Sequence, residues 1–149
     1  MMGKFEKDTG AGRFFKDFKK YHGLPVQDAI FFNQSDLICD MAKHEDFIVM
    51  GRCADVVLTN HHIPYISIFI TASFDQRVRR MMEINSLNYK QAEHLLKKLD
   101  KRHERYYHAY TGKKWGDAVN YDLCIDSASY GIEESVELIE RMINKYPNS

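Results

Sequence analysis

At 149 residues, with 21 basic and 21 acidic side chains, the chain has the length of one ordinary domain and no net field to draw it to nucleic acid, a membrane surface or an acidic partner. Its three cysteines, Cys39, Cys53 and Cys124, form no CxxC pair, which excludes a disulfide framework and fits a reduced, cytoplasmic setting. No apolar run approaches the roughly 20 residues of a membrane-spanning helix, so the expectation is one soluble domain over residues 1–149.

Residues 1–12, MMGKFEKDTGAG, show neither helical nor strand period and predict a flexible start. Phe14, Phe15, Phe18 and Tyr21 then share one face of a short amphipathic helix that Gly23 and Pro25 close. From Val26 to about His44, Ile30, Phe31, Leu37, Ile38 and Met41 recur at helical spacing. Phe47-Ile48-Val49-Met50 follow as a continuous apolar run, which predicts a strand buried on both faces. Further strands are expected over residues 65–70, after Pro64, and over residues 121–125.

Between the last two, Ser73 with Gln76 and Asn88 with Gln91 have capping-box spacing and start two helices. Val78, Met81 and Met82 form the apolar face of the first; Ala92, Leu95, Leu96, Leu99 and Tyr106 form that of the second. A last helix over about 132–145 aligns Ile132, Val136, Ile139 and Ile143 in one stripe, with Glu133 and Glu134 in the first turn, where the helix dipole favours them. Buried strands separated by helices predict the α/β class, a mostly parallel sheet in a three-layer α/β/α arrangement. Ligands in such sheets bind beyond the carboxyl ends of the strands. Gly51, Arg52, Thr71 and Ser127 all follow those predicted ends.

Arg52 is a fixed charge shaped to grip a phosphate or carboxylate through two parallel hydrogen bonds. Gly51 permits close approach of a ligand, and Asp55 either orients Arg52 or accepts hydrogen bonds from the ligand. An Arg–Asp pair that only closes a helix start has equal standing. Arg77 and Arg80, three apart, share a helical face; taken alone they describe a basic surface. Lys98, Arg102 and Arg105 fall on another face, diluted by Asp100 and Glu104, and describe either a solvated surface or a mobile arm carrying cations over phosphates. No histidine or cysteine spacing matches a metal site.

In order, VMGRCAD (49–55), IFITASFDQRVRR (68–80), KKLDKRHERYYHAYTGKKWGD (97–117) and NYDLCIDSASYGIEESVELI (120–139) resemble the cytidylate kinase-like family, a branch of the P-loop nucleoside monophosphate kinases. The resemblance runs from about Gly23 to the end. It implies transfer of the terminal phosphate of ATP to CMP or dCMP with Mg2+. Gly51, Arg52 and Asp55 would bind the acceptor, with Cys53 standing where such kinases carry an aspartate. Arg77, Arg80, Arg102 and Arg105 would gather around the transferred phosphate as part of a lid-like region over about 77–115. Ser127, Ala128 and Ser129, within the loop that begins at Asp126, would lie beside the ATP adenine.

Such kinases open with a strand and a glycine-rich loop whose N–H groups cradle phosphates. Nothing in the sequence fits G-x-x-x-x-G-K-[ST]; Thr9-Gly10-Ala11-Gly12-Arg13 is the nearest cluster. The expectation is therefore an N-terminally incomplete P-loop kinase-like domain lacking the first strand and phosphate loop, with ATP and Mg2+ binding and transferase activity impaired. The alternatives are a non-catalytic nucleotide-binding module, or an assembly module forming a homo-oligomer through the sheet edge a missing central strand would expose. A nucleic-acid binder using residues 97–105 ranks third, because acids interleave the basic run.

Overall fold

Pro25 fixes the entry to α1, Val26–Ala42, the first helix among the described residues, 23–146, of a computed structural model. The start predicted over 1–12, the aromatic helix expected around Phe14 and the Thr9–Arg13 glycine cluster lie outside the described residues. The chain divides between Tyr65 and Ile66 into two compact units.

In the first unit, Ile38 and Cys39 of α1 are buried against Ala54, Val57 and Leu58 of α2, Ala54–Asn60. Phe31, Ala42, Phe47, Val49, Ile63 and Tyr65 close around this cluster. Seven residues are too few to display a helical period, which is why periodicity does not announce α2. The strand expected at 47–50 does not form: the segment joins no ladder. Phe47 and Val49 turn toward the cluster, while Ile48 is 92% and Met50 87% exposed. The backbone alternates as a strand does, but the apolar run is buried on one side only and has no ladder partner among the described residues.

The second unit contains the sheet. β1, Ile68–Thr71, pairs in parallel with β2, Leu123–Asp126, with Ile68 opposite Leu123 and Thr71 opposite Asp126. Two strands make up the sheet among the described residues; with the helices they give an α/β fold. Register is fixed at the entry to both strands. Asp122 Oδ2 accepts hydrogen bonds from Ser67 N and Ser67 Oγ, both 2.8 Å, and Asp122 N donates to Ser67 O at 2.9 Å. Asp122→Ala removes the two carboxylate bonds and is expected to cost about 1–2 kcal/mol of unfolding free energy, measured by urea denaturation; an unchanged midpoint would mean that the ladder alone holds the register.

α3, Phe74–Asn85, and α4, Tyr89–Thr111, both begin with the predicted capping boxes. They form a hairpin whose core is Val78, Ala92 and Leu96, packed by Met81, Met82 and Leu87. Gly112, at φ 68°, ends α4. The chain then folds back so that Trp115 lies between His103 of α4, 5.3 Å away, and Phe69 of β1, at 5.6 Å. Gly116, at φ 74°, meets the Phe69 ring so closely that a Cβ there would lie 3.1 Å from it, so both conformation and space require glycine.

After β2 come a single helical turn, α5, Ser127–Tyr130, and α6, Ile132–Lys145. The turn replaces the loop expected after Asp126. On α6 the apolar stripe is mostly solvent-facing: Ile132, Val136 and Ile143 are exposed and Ile139 is half-buried, whereas Ser135 is buried. Ser135 Oγ donates to Gly131 O, so the small residue satisfies its own hydroxyl and its face is the one that packs.

Candidate functional site

Gly51, Arg52 and Cys53 adopt left-handed φ values of 71°, 61° and 52° in succession. For Arg52 and Cys53 such backbone costs on the order of 1 kcal/mol each. Cys53 is buried, 4% exposed, and its carbonyl accepts the Val56 and Val57 N–H groups, both 3.1 Å. That anchor turns Arg52 outward to solvent. Asp55 lies in the first turn of α2. The predicted Arg52 is thus displayed by a strained turn, and the strain itself had no signal in the sequence.

Burial, reinforced by the Asp55 charge, pushes the Cys53 thiol up to about 11; burial also raises Cys39. Both stay protonated thiols at neutral pH, whereas Cys124 is exposed. Iodoacetamide is expected to alkylate Cys124 in the native protein and Cys39 and Cys53 only on unfolding. Rapid native modification of Cys53, read by peptide mass, would contradict its burial.

The α3–α4 hairpin carries the four predicted phosphate-gathering arginines, but they differ in state. Arg77 Nη1 and Nη2 donate to Asp100 Oδ2 and Oδ1 at 3.0 and 2.5 Å, a bidentate pair that joins the two helices. Arg80, Arg102 and Arg105 are exposed and form no ion pair with a carboxylate among the described residues. Arg79 Nε instead donates to Asp75 Oδ2 at 2.8 Å, which is the main cause of the lowered Asp75 carboxyl pKa. In the sequence Asp100 only dilutes a basic run, because a partner 23 residues away leaves no local spacing signal.

At the end of β2, Asp126 Oδ1 accepts the N–H groups of Ala128 and Ser129 at 3.2 and 3.0 Å, and Oδ2 accepts Ser129 Oγ at 2.9 Å. Two backbone donors of the segment expected beside the adenine are therefore committed to Asp126. A shallow cavity of about 340 Å³ adjoins it, lined by Cys124, Ile125, Asp126, Ser129, Tyr130 and Leu138. The Asp126 carboxyl is held below its ordinary 3.8, first by the Ser129 N–H, then by the Ser129 hydroxyl and the Ala128 N–H. A depressed folded-state pKa adds stability that is full above 3.8 and lost as pH falls through the lower folded value. Asp126→Asn is expected to flatten that part of the acid-unfolding curve; an unaltered curve would remove the cap from the account.

Among the described residues no group of three His, Cys, Asp or Glu side chains comes together to hold a metal. Gly51, Arg52 and Asp55 belong to the first unit, the four arginines and Ser127–Ser129 to the second. No described helix is long and apolar enough to cross a membrane.

The sequence model of the cytidylate kinase-like family matches residues 1–129. A cytidylate kinase from Staphylothermus marinus is 22% identical over 143 residues, covering 91% of this chain and 81% of its own. The crystal structure of an uncharacterized protein from Eubacterium ventriosum is similar with a TM-score of 0.70 and 29% identity, over 93% of this chain and 78% of that one.

Proposed function

The chain belongs to the cytidylate kinase-like family, and from that membership we propose that it binds a CMP-like nucleoside monophosphate on a three-layer, P-loop kinase-like fold whose sequence has no phosphate-loop motif, so that phosphoryl transfer from ATP, with Mg2+, to CMP or dCMP is impaired. The family match over residues 1–129 carries the reading. Arg52, exposed on its left-handed turn, is assigned to the acceptor phosphate, with Gly51 allowing approach and Asp55 accepting from the nucleoside. Arg80, Arg102 and Arg105 are assigned to the charge on the transferred group, where a positioned guanidinium stabilises developing negative charge. Ser127–Ser129 and the cavity beside them are assigned to the donor nucleotide.

Thermal shift with CMP, dCMP, UMP, AMP and ATP, followed by an ADP-release assay with Mg2+, tests this. CMP-selective stabilisation with at most slow turnover, since the sequence has no phosphate-loop motif to cradle ATP, is the expected result; no stabilisation by any monophosphate would end the reading. Stabilisation by CMP without turnover would favour a second reading, a nucleotide-binding assembly module. The unladdered segment with Ile48 and Met50 exposed supports that alternative, since extended apolar backbone is a template for pairing with another copy. Light scattering separates a monomer from such a homo-oligomer.

A further inference from the structure

We propose that Arg77 and Asp100 are a clasp that aims the second half of α4, and that Arg77 is a positioning residue which does not touch phosphate. The positioning role rests on the kinase reading above; the clasp rests on geometry alone. The apolar core of the hairpin, Val78, Ala92 and Leu96, involves only the first turns of α4. Asp100 stands one turn beyond Leu96, opposite Arg77 near the start of α3. The clasp therefore closes the hairpin at its open end, beyond the buried contact of Val78 with Ala92 and Leu96.

From there α4 continues for about 16 Å to Thr111 at 1.5 Å per residue, carrying Arg102 and Arg105. Their direction depends on how the helix leaves that tie to α3, together with the packing of His103 on Trp115. A bidentate guanidinium–carboxylate pair fixes both distance and rotation, which a single contact does not. Its side chains are 31% and 20% exposed, more sheltered than the i,i+4 pair Arg79–Asp75 at 72% and 54%, so water screens it less. For Arg77 to reach a phosphate it would have to abandon both bonds and leave the Asp100 carboxylate without a partner beside an incoming anion. Arg80, Arg102 and Arg105 face no such conflict.

Calorimetric titration of the full chain with inorganic tripolyphosphate, and thermal unfolding of the same variants, test the proposal. Arg77→Ala and Asp100→Ala are each expected to weaken tripolyphosphate about 3- to 10-fold, with the double variant no worse than either, the mark of residues that act as a unit. Arg77→Met with Asp100→Leu, an apolar pair of similar volume, should restore affinity to within about twofold, and Arg102→Ala on that background should lose it again. Arg77→Lys keeps the charge without the fork and should behave like Arg77→Ala.

A phosphate-binding Arg77 gives the opposite pattern: Asp100→Asn tightens binding, Arg77→Lys retains it, and the apolar pair abolishes it. That pattern overturns the proposal. Additive effects of the two alanines on unfolding, with polyphosphate binding intact, would overturn the clasp and leave the kinase reading standing. Absence of polyphosphate binding by the native chain would overturn the positioning role together with the kinase reading, while coupling of the two alanines in unfolding would still show the clasp.

Discussion

Arg52→Gly is expected to weaken CMP by about 10- to 100-fold while leaving the melting temperature unchanged or higher. The first half follows from losing a charge-assisted hydrogen bond to the phosphate, worth about 1.5–3 kcal/mol. The second follows from φ 61° at Arg52: glycine adopts that backbone freely, relieving strain on the order of 1 kcal/mol against its own entropy cost. A residue retained for packing would give the reverse, a less stable protein with unaltered affinity. Arg52→Lys provides the control, because it keeps charge and strain and loses only the fork. Calorimetric titration with CMP and thermal unfolding of both variants decide the matter; a destabilised Arg52→Gly protein that binds CMP normally would make Arg52 structural.

Val78→Asp is expected to destroy the α3–α4 hairpin. Val78 and Ala92 are both 0% exposed, so the helices touch there with no room for water. An unpaired carboxylate at that contact would cost about 3–5 kcal/mol, a large share of the stability of a small domain. Denaturant unfolding should show the loss, and amide exchange should show protection falling across residues 74–111. Tripolyphosphate affinity should fall with it, since Arg80, Arg102 and Arg105 would no longer sit on one framework. Val78→Ala, which leaves a cavity and no charge, should have a smaller effect in the same direction. Retention of full stability by Val78→Asp would show that the hairpin is held elsewhere.

The elements legible in the sequence are those governed by local rules. Ser73 with Gln76, and Asn88 with Gln91, specify both capping boxes, and the spacing of Ile132 to Ile143 gives a helix that spans Ile132–Lys145. What a periodicity does not say is which face of an element has a partner. On α6 the stripe carries Ile132, Val136 and Ile143 into solvent, and Ser135 is the buried residue. The run at 47–50 fails for a related reason: four apolar residues announce burial, but a strand also needs a neighbour's N–H and C=O groups, which no local pattern contains. At the site, Arg52 and the hairpin arginines stand out by chemistry and position. Asp100 does not, because its role depends on an arginine 23 residues away, and the left-handed turn at Arg52 and Cys53 occurs at residue types that do not advertise it.

Trp115 is the one tryptophan in the sequence, and its ring lies between His103 of α4 and Phe69 of β1. Any movement of the far half of α4 away from the sheet must change what surrounds that indole. The unlabelled protein thus carries its own optical gauge of where Arg102 and Arg105 are pointing, one that can be followed by intrinsic emission while a nucleotide is added.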